Sequence, residues 1–394
     1  MTAQQYAAPL DENLGDLYER LRSGRSQAPP VERGWREKDE GKQRPIGQPP
    51  CEDKLVQRAV VLRWEALYEQ DCCARSYGLR QGRSPHDALH EVRERCMTEG
   101  IGWIVEAEVR GYFDRLDKTR LRDSLRKRVN EGRIRRRIGK WLRAGGMEAG
   151  VLTSPETGVP QGGVVAPVLA NICLPHVLDE WVEHEGRPRR QGRGFLPRFA
   201  DDCVMGCAKE ADARKLMDVL PKRVARFGLT MHPTKTALLA CPKPGAHGAS
   251  TVANGTFDFR GLPPYGATSR RGVWVSKRRT ARKRRRRTKK SLWHWCRTHR
   301  PPPRQYPYQM LCLKLRGHCR YDGIRGHFRL LEEVRKTAEK AWQYWLRRRS
   351  NTSAIKWEKF ARLLETYGLP TPKIIHNISR VLQGSKRDAP ASCP

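Results

Sequence analysis

The sequence is short of acid for its length. Its 394 residues hold 42 Asp and Glu against 78 Lys and Arg, a formal charge of +36. That imbalance predicts a polyanionic partner, nucleic acid before anionic membrane. Arg, the commoner of the two bases here, matches phosphate oxygens two at a time with its planar fork. No run of eighteen apolar residues is present to span a bilayer, and the N-terminus lacks the pattern of a signal peptide. A cytoplasmic chain without membrane partner is expected. The twelve Cys follow no disulfide rhythm and contain no C-x-x-C, so they read as core or surface thiols. Cys296 and His299 could offer two zinc ligands, but a second pair at the right distance is missing. With 38% hydrophobic residues the chain is globular but polar, and long enough for two or three domains.

Two adjacent carboxylates stand out against this basic background, in Arg198-Phe199-Ala200-Asp201-Asp202-Cys203. Neighbouring anions repel, and a protein keeps them cheaply in water or around cations. A polar turn between two strands and a metal site are both open readings of the pair alone. Upstream, residues 103–114 read as a strand on which Glu106 and Glu108, two apart, share one face.

Periodicity organises the rest. Residues 11–23 predict a helix carrying Leu14, Leu17, Tyr18 and Leu21 on one side. Residues 41–50, GKQRPIGQPP, predict an irregular loop projecting Lys42 and Arg44. Residues 52–70 predict a helix with an apolar face through Leu55, Val56, Ala59, Val60, Leu62 and Leu67, and 87–97 another, begun by Ser84-Pro85. A basic helical region follows at 118–144, then a Gly-Pro loop turning into an apolar helix over 158–182. Strand, turn and strand fit 195–207, a helix 210–227, and a strand the end of 228–240. Residues 277–290 hold eleven positive charges in fourteen positions, a soluble linker that contacts nucleic-acid backbone. Helices are expected at 328–347 and 354–367.

Taken in order, the segments 41–50, 76–89 (SYGLRQGRSPHDAL), 109–116 (VRGYFDRL), 158–172 (GVPQGGVVAPVLANI), 198–202 (RFADD), 227–236 (FGLTMHPTKT) and 257–261 (FDFRG) resemble the reverse transcriptase and maturase proteins encoded by bacterial group II introns. Residues 313–328 and 341–350 resemble the thumb and maturase region of that family, so the resemblance runs from about 14 to 379. It implies an α/β (α+β) right-hand polymerase fold with fingers, palm and a helical thumb, in a bacterial cytoplasmic protein. The implied divisions are a truncated N-terminal region at 1–40, fingers and palm at 41–264, a basic linker at 265–300, a thumb at 301–380 and a tail at 381–394.

The resemblance also implies chemistry. Asp201 and Asp202, with Glu108 on a neighbouring strand, would hold two Mg²⁺ ions for RNA-directed DNA synthesis from deoxynucleotides at a primer 3′-hydroxyl. Phe113 would lie under the incoming sugar, and Asp114 would support that motif. Arg110 and Lys235 would lie near the triphosphate, Lys42 and Arg44 against template or triphosphate, and Gln161 and Gly162 in the loop supporting the nucleotide. His232 is read as structural. Arg284, Arg285, Arg316 and His318 would grip RNA, whether intron, other structured RNA or template with DNA primer, while Trp342 and Trp345 read equally as core or as RNA stackers. The sequence departs from the family at Glu108, where an Asp is usual. The extra methylene moves the carboxylate by about 1.5 Å. The alternative is therefore a catalytically weak, maturase-like binder of structured RNA. No His-Asn-His endonuclease module is recognised, so target-strand cleavage is not expected.

Overall fold

Two units divide the chain, Met1–Gly255 and Thr256–Pro394. The structure, a computed structural model, describes residues 2–37, 43–148, 150–153, 158, 162–241, 259–260, 262, 264–268, 274–278, 280–299, 305–348 and 356–376, with backbone alone for 264–268 and 274–278. Lys42, Gln161 and the expected tail at 381–394 lie outside them.

The first unit opens with helices α1 (Ala3–Ala7) and α2 (Leu10–Arg22), so residues 1–40 hold more than the single helix expected. Strand β1 (Val31–Glu37) pairs antiparallel with β2 (Gln43–Gln48). Residues 41–50 were expected as an irregular loop; instead most of them form β2, with Arg44 on a strand. The order β2-β1-β4-β5 explains why, because β2 is an edge and Pro45 needs no outward partner for the N–H it lacks. Here β4 is Gly146–Glu148 and β5 is Val151–Thr153.

Helix α3 (Cys51–Glu69) buries Val56, Val61, Trp64 and Tyr68 at helical spacing, while Leu55 and Leu62 are exposed. The apolar face is thus rotated from the one read in the sequence, because the large aromatics Trp64 and Tyr68 bury more area than Leu at the outer positions. Helix α4 (Pro85–Thr98) begins at a Ser84–Asp87 capping box with Pro at its first position, as the sequence predicts.

Strand β3 (Trp103–Glu108) leads into the short helix α5 (Tyr112–Arg115) and then α6 (Lys118–Arg126) and α7 (Gly132–Arg143). The apolar helix α8 (Ala166–Leu174) loses its regular ladder at Pro175, which has no N–H to give. It widens into π-helical turns over Pro175–Asp179 and Val182–Gly186 before α9 (Arg187–Arg189). Strands β6 (Gly194–Phe195), β7 (Arg198–Phe199) and β8 (Asp202–Cys207), helix α10 (Glu210–Ala225) and strand β9 (Ala237–Ala240) complete the unit. The second sheet runs β6-β8-β3-β9, with β7 also on β8. Val105, Ala107 and Val109 turn one face of β3 into a core shared with Leu169, Ile172 and Cys203.

The second unit carries the hairpin β10 (Pro264–Thr268) and β11 (Trp274–Arg278), then helices α11 (Arg282–Thr298), α12 (Gln305–Asp322), α13 (Phe328–Arg347) and α14 (Trp357–Thr366). Residues 265–300 were expected as a basic linker; α11 corrects that. Its C-terminal half supplies buried Leu292 and Cys296 to a core with Val334, Ala338 and Trp342, and this burial holds the basic half helical. Burial pushes the Cys296 thiol up to about 12. Among the described residues no helix is long and apolar enough to cross a membrane.

Candidate active site

Glu108 ends β3 directly opposite Asp202, the first residue of β8. Opposed residues of an antiparallel pair share a face, with Cβ atoms about 5 Å apart. Two carboxylates in that relation repel unless a cation lies between or beside them. The Val109 N–H donates to the Asp201 carbonyl (3.1 Å), which ties the third acidic residue to the end of the same strand. All three acids are half-buried.

The turn bearing Asp201 is braced from beneath. Phe199 pairs with Asp202, leaving only Ala200 and Asp201 to reverse the chain. Ala200 takes φ +58°, the left-handed region that tight hairpin turns demand and that costs a non-glycine residue about 1–2 kcal/mol. Arg198, 0% exposed, stabilises it by donating from Nη1 to the Ala200 carbonyl (3.1 Å). The same guanidinium grips Asp179 at both oxygens (2.8 and 2.6 Å) and donates to Ser76 Oγ (2.8 Å). Gly78 closes the other side; a Cβ there would sit 2.1 Å from the Ala200 nitrogen. Asn171 Nδ2 donates to the Gly78 and Leu79 carbonyls (3.1 and 3.2 Å), linking α8 to this support.

Arg198, Asp179, Ser76 and Gly78 were not singled out from sequence. A partial signal existed for one of them: Asp179 and Glu180 interrupt a largely apolar helical stretch, and whichever acid turns inward needs a buried cation.

A loop after α10 covers the other edge of β3. The Arg110 N–H donates to the Thr230 carbonyl (2.8 Å) and the His232 N–H to the Glu108 carbonyl (2.8 Å). These bonds bring Lys235 Nζ to 2.5 Å from Glu108 Oε2. His232 thus acts through its backbone. Phe113 is half-buried on α5, edge-on to the Tyr112 ring at 5.5 Å. Arg110 is exposed beside it. Asp114 lies against Gly158, where a Cβ would come within 2.6 Å of the Asp114 carbonyl oxygen. Gly162, at φ +112°, fits against β2, since its Cβ would meet Ile46 at 2.6 Å and the Gly47 carbonyl at 2.7 Å. On that ribbon, exposed Arg44 stands directly across from exposed Arg36.

Burial pushes the Cys203 thiol well above its usual range, so this neighbour of the acid pair is packing and not a nucleophile. The acids themselves offer only oxygen donors, which suits a hard divalent cation. Among the described residues, however, no three acidic, His or Cys side chains are gathered closely enough to hold a metal ion. Glu108 reaches toward Lys235 instead.

In the second unit the four expected RNA contacts separate. Arg284 lies over the Tyr321 ring (4.1 Å) and 3.5 Å from buried Asp322, and Arg285 is 3.8 Å from Glu333. His318 is mostly buried, 3.1 Å from the same Asp322. Arg316 is exposed on α12. Helical spacing places Arg282, Arg286 and Lys290 on the exposed side of α11. Trp342 is buried, with Trp345 packed against the same core.

A family model described as reverse transcriptase (RNA-dependent DNA polymerase) matches residues 36–279, more than half of the chain. Protein YkfC of Escherichia coli is 35% identical over 170 residues, 42% of this chain and 45% of its own length. The group II intron-encoded protein LtrA of Lactococcus lactis is 34% identical over 173 residues, 44% of this chain and 28% of its own. The chain thus spans less than half the length of these relatives. A telomerase from Candida albicans, solved with a fragment of telomeric RNA, aligns over 97% of this chain and 71% of its own at 12% identity and a TM-score of 0.48.

Proposed function

Since the chain belongs to the reverse transcriptase family, a family with a right-hand polymerase fold and divalent-metal chemistry, we propose that it is an RNA-directed DNA polymerase of the group II intron type. It extends a primer 3′-hydroxyl with deoxynucleotides along an RNA template, in a bacterial cytoplasm. The observation that carries this reading is the register of Glu108 against Asp202, with Asp201 on the braced turn beside them. In this assignment residues 41–264 are fingers and palm, 301–380 the thumb, and 1–40 an N-terminal region.

Asp201, Asp202 and Glu108 are the residues that would hold divalent ions, taken here as two Mg²⁺, and Glu108 would have to leave its Lys235 contact to do so. When bound, such ions lower the pKa of the attacking hydroxyl and offset charge on the transferring phosphoryl group. The chain's own residues do the rest. Phe113 supports the sugar of the incoming nucleotide and disfavours a 2′-hydroxyl. Gly162 holds the nucleotide from the β2 side, and Gln161, its neighbour in sequence, is assigned to the same task. Arg110 neutralises the triphosphate, and Lys235, once released, gives a proton to the departing pyrophosphate. The like-charged pair Arg36 and Arg44, with Lys42 between the strands in sequence, is stabilised by template phosphates. Arg316 and the exposed side of α11 grip structured RNA or the template-primer duplex.

One observation favours a second reading, a maturase-like RNA binder with little activity: Glu108 is engaged by Lys235 and the acids are not gathered. Primer extension on an RNA template with Mg²⁺ and labelled deoxynucleotides separates the two. The native chain is expected to extend and Asp201→Ala to fall to background. Extension by Glu108→Asp alone, or by none of the three, would overturn the enzyme reading in favour of the binder.

A further inference from the structure

Helices α2, α3 and α7, with the turn after α2, line an open cavity of about 540 Å³ that shares no residue with the candidate active site. Its floor is apolar, formed by Leu21, Val56, Val60 and Ile134, and Tyr18 stands at its rim, 61% exposed. Its remaining character is cationic. Arg22, Arg133, Arg136, Arg137 and Lys140 line it, and among the described residues no acid does.

Only one of these charges is internally satisfied. Arg137 is buried and bonds to Asp53, Ser26 Oγ and the Gln27 carbonyl. Lys140 Nζ donates to the carbonyls of Gly24 (2.9 Å) and Ser26 (2.7 Å), which orient it without cancelling its charge. Arg22 has Glu19 at 3.7 Å on an exposed surface, a weak pairing. Arg133 and Arg136 make no ion pair among the described residues. Positions 133 and 136, and 137 and 140, are three apart, and 133 and 137, and 136 and 140, are four apart, so these like charges destabilise α7 in isolation. The fold gains nothing from Arg133 and Arg136 at a rim. An anion there removes the repulsion.

The ligand must be anionic and also present a flat apolar part. A free phosphate does not need the floor, and a purely apolar ligand does not need the cations. An unstacked nucleotide of an RNA strand presents both, with a phosphate outside and a base to insert. The volume lies within the usual range for ligand cavities, about 300–1,000 Å³. We infer that this cavity is an RNA-binding site that captures one unpaired nucleotide, its phosphates on Arg133 and Arg136 and its base between Tyr18 and the floor of Val56, Val60 and Ile134. The inference rests on the RNA-binding part of the proposed function, but not on polymerisation.

The test uses the full chain with two labelled RNAs, a hairpin carrying an unpaired bulge and a fully paired hairpin of the same length. Affinity is measured across salt concentrations by fluorescence anisotropy. The variants are Tyr18→Ala and the double change Arg133→Gln with Arg136→Gln; all three side chains are exposed, and thermal melting checks that folding is unaffected. Tyr18→Ala is expected to weaken binding of the bulged RNA by roughly ten-fold and leave the paired one alone. The double change is expected to reduce the slope of log affinity against log salt by about 1.4. Unchanged slope and unchanged preference for the bulge overturn the site. So does loss of binding to phosphatidylserine vesicles with RNA binding intact, which makes it a membrane contact. Primer extension on an unstructured homopolymer template is run alongside. If the native chain fails to extend but the slope changes, the polymerase reading fails and the cavity stands. If extension is normal and the slope does not change, the reverse holds.

Discussion

Lys235 Nζ lies 2.5 Å from Glu108 Oε2, so one acid of the candidate site is engaged by a cation of the chain itself. Glu108 starts on β3 and Lys235 on the loop before β9, and the His232 N–H to Glu108 carbonyl bond fixes the two backbones together. A partly exposed pair of this kind is worth about 0–1 kcal/mol.

Lys235→Ala removes a competitor for the Glu108 carboxylate. The Mg²⁺ concentration for half-maximal primer extension is expected to fall about two- to five-fold, the factor that up to about 1 kcal/mol provides. The maximal rate is expected to fall as well, because the proton donor proposed above is gone. A metal titration that superimposes on the native one rules out the competition.

The buried pair Arg198 and Asp179 makes a second prediction. Removing one partner leaves a charge stranded, so Asp179→Ala is expected to cost about 3–5 kcal/mol in urea unfolding. The double change Arg198→Met with Asp179→Leu is expected to recover much of that loss. Extension is expected to stay low in the double variant, since nothing then holds the Ala200 carbonyl and its left-handed turn. Additive stability losses, or full activity in the double variant, would contradict the bracing role.

On α11 the two sides are expected to behave differently. Replacing Arg282, Arg286 and Lys290 by Gln should lower the salt slope of RNA binding by about 2–3 with no change in melting temperature. Replacing Arg284 and Arg285 by Gln should lower the melting temperature instead, because Asp322 and Glu333 lose partners. Equal slope changes from both sets would mean that the inner side also faces RNA.

Asp322 supplies the pH dependence. Burial pushes its carboxyl up, but the His318 hydrogen bond, Arg284 and Thr280 outweigh burial and hold it below the ordinary 3.8. A depressed carboxyl pKa contributes stability that is present above the unfolded value and lost as pH falls through the folded one. The native chain should therefore melt above Asp322→Asn at neutral pH, with the gap closing below 3.8. A gap that persists in strong acid assigns the effect to packing.

Much of this molecule is written locally. The Ser84 cap with Pro85, the alternation along 103–109 and the tight pair at 201–202 each depend on neighbours a few residues away, so the sequence by itself determined α4, β3 and the hairpin that bears the acids. The charge excess and the ordered segments likewise determined the family, because residue types and their order need no coordinates. Tertiary structure decided what depends on distant partners. Residues 43–48 became a strand because β1 was there to pair with them, and α11 became a helix because its apolar end found a core. Which Arg of a basic run faces inward was set by Asp322 and Glu333, far along the chain. The bracing of Asp201 joins Ser76, Gly78, Asp179 and Arg198. The cationic cavity joins α2, α3 and α7. Burial and convergence of charge are properties of the packed chain, and no window of sequence contains them.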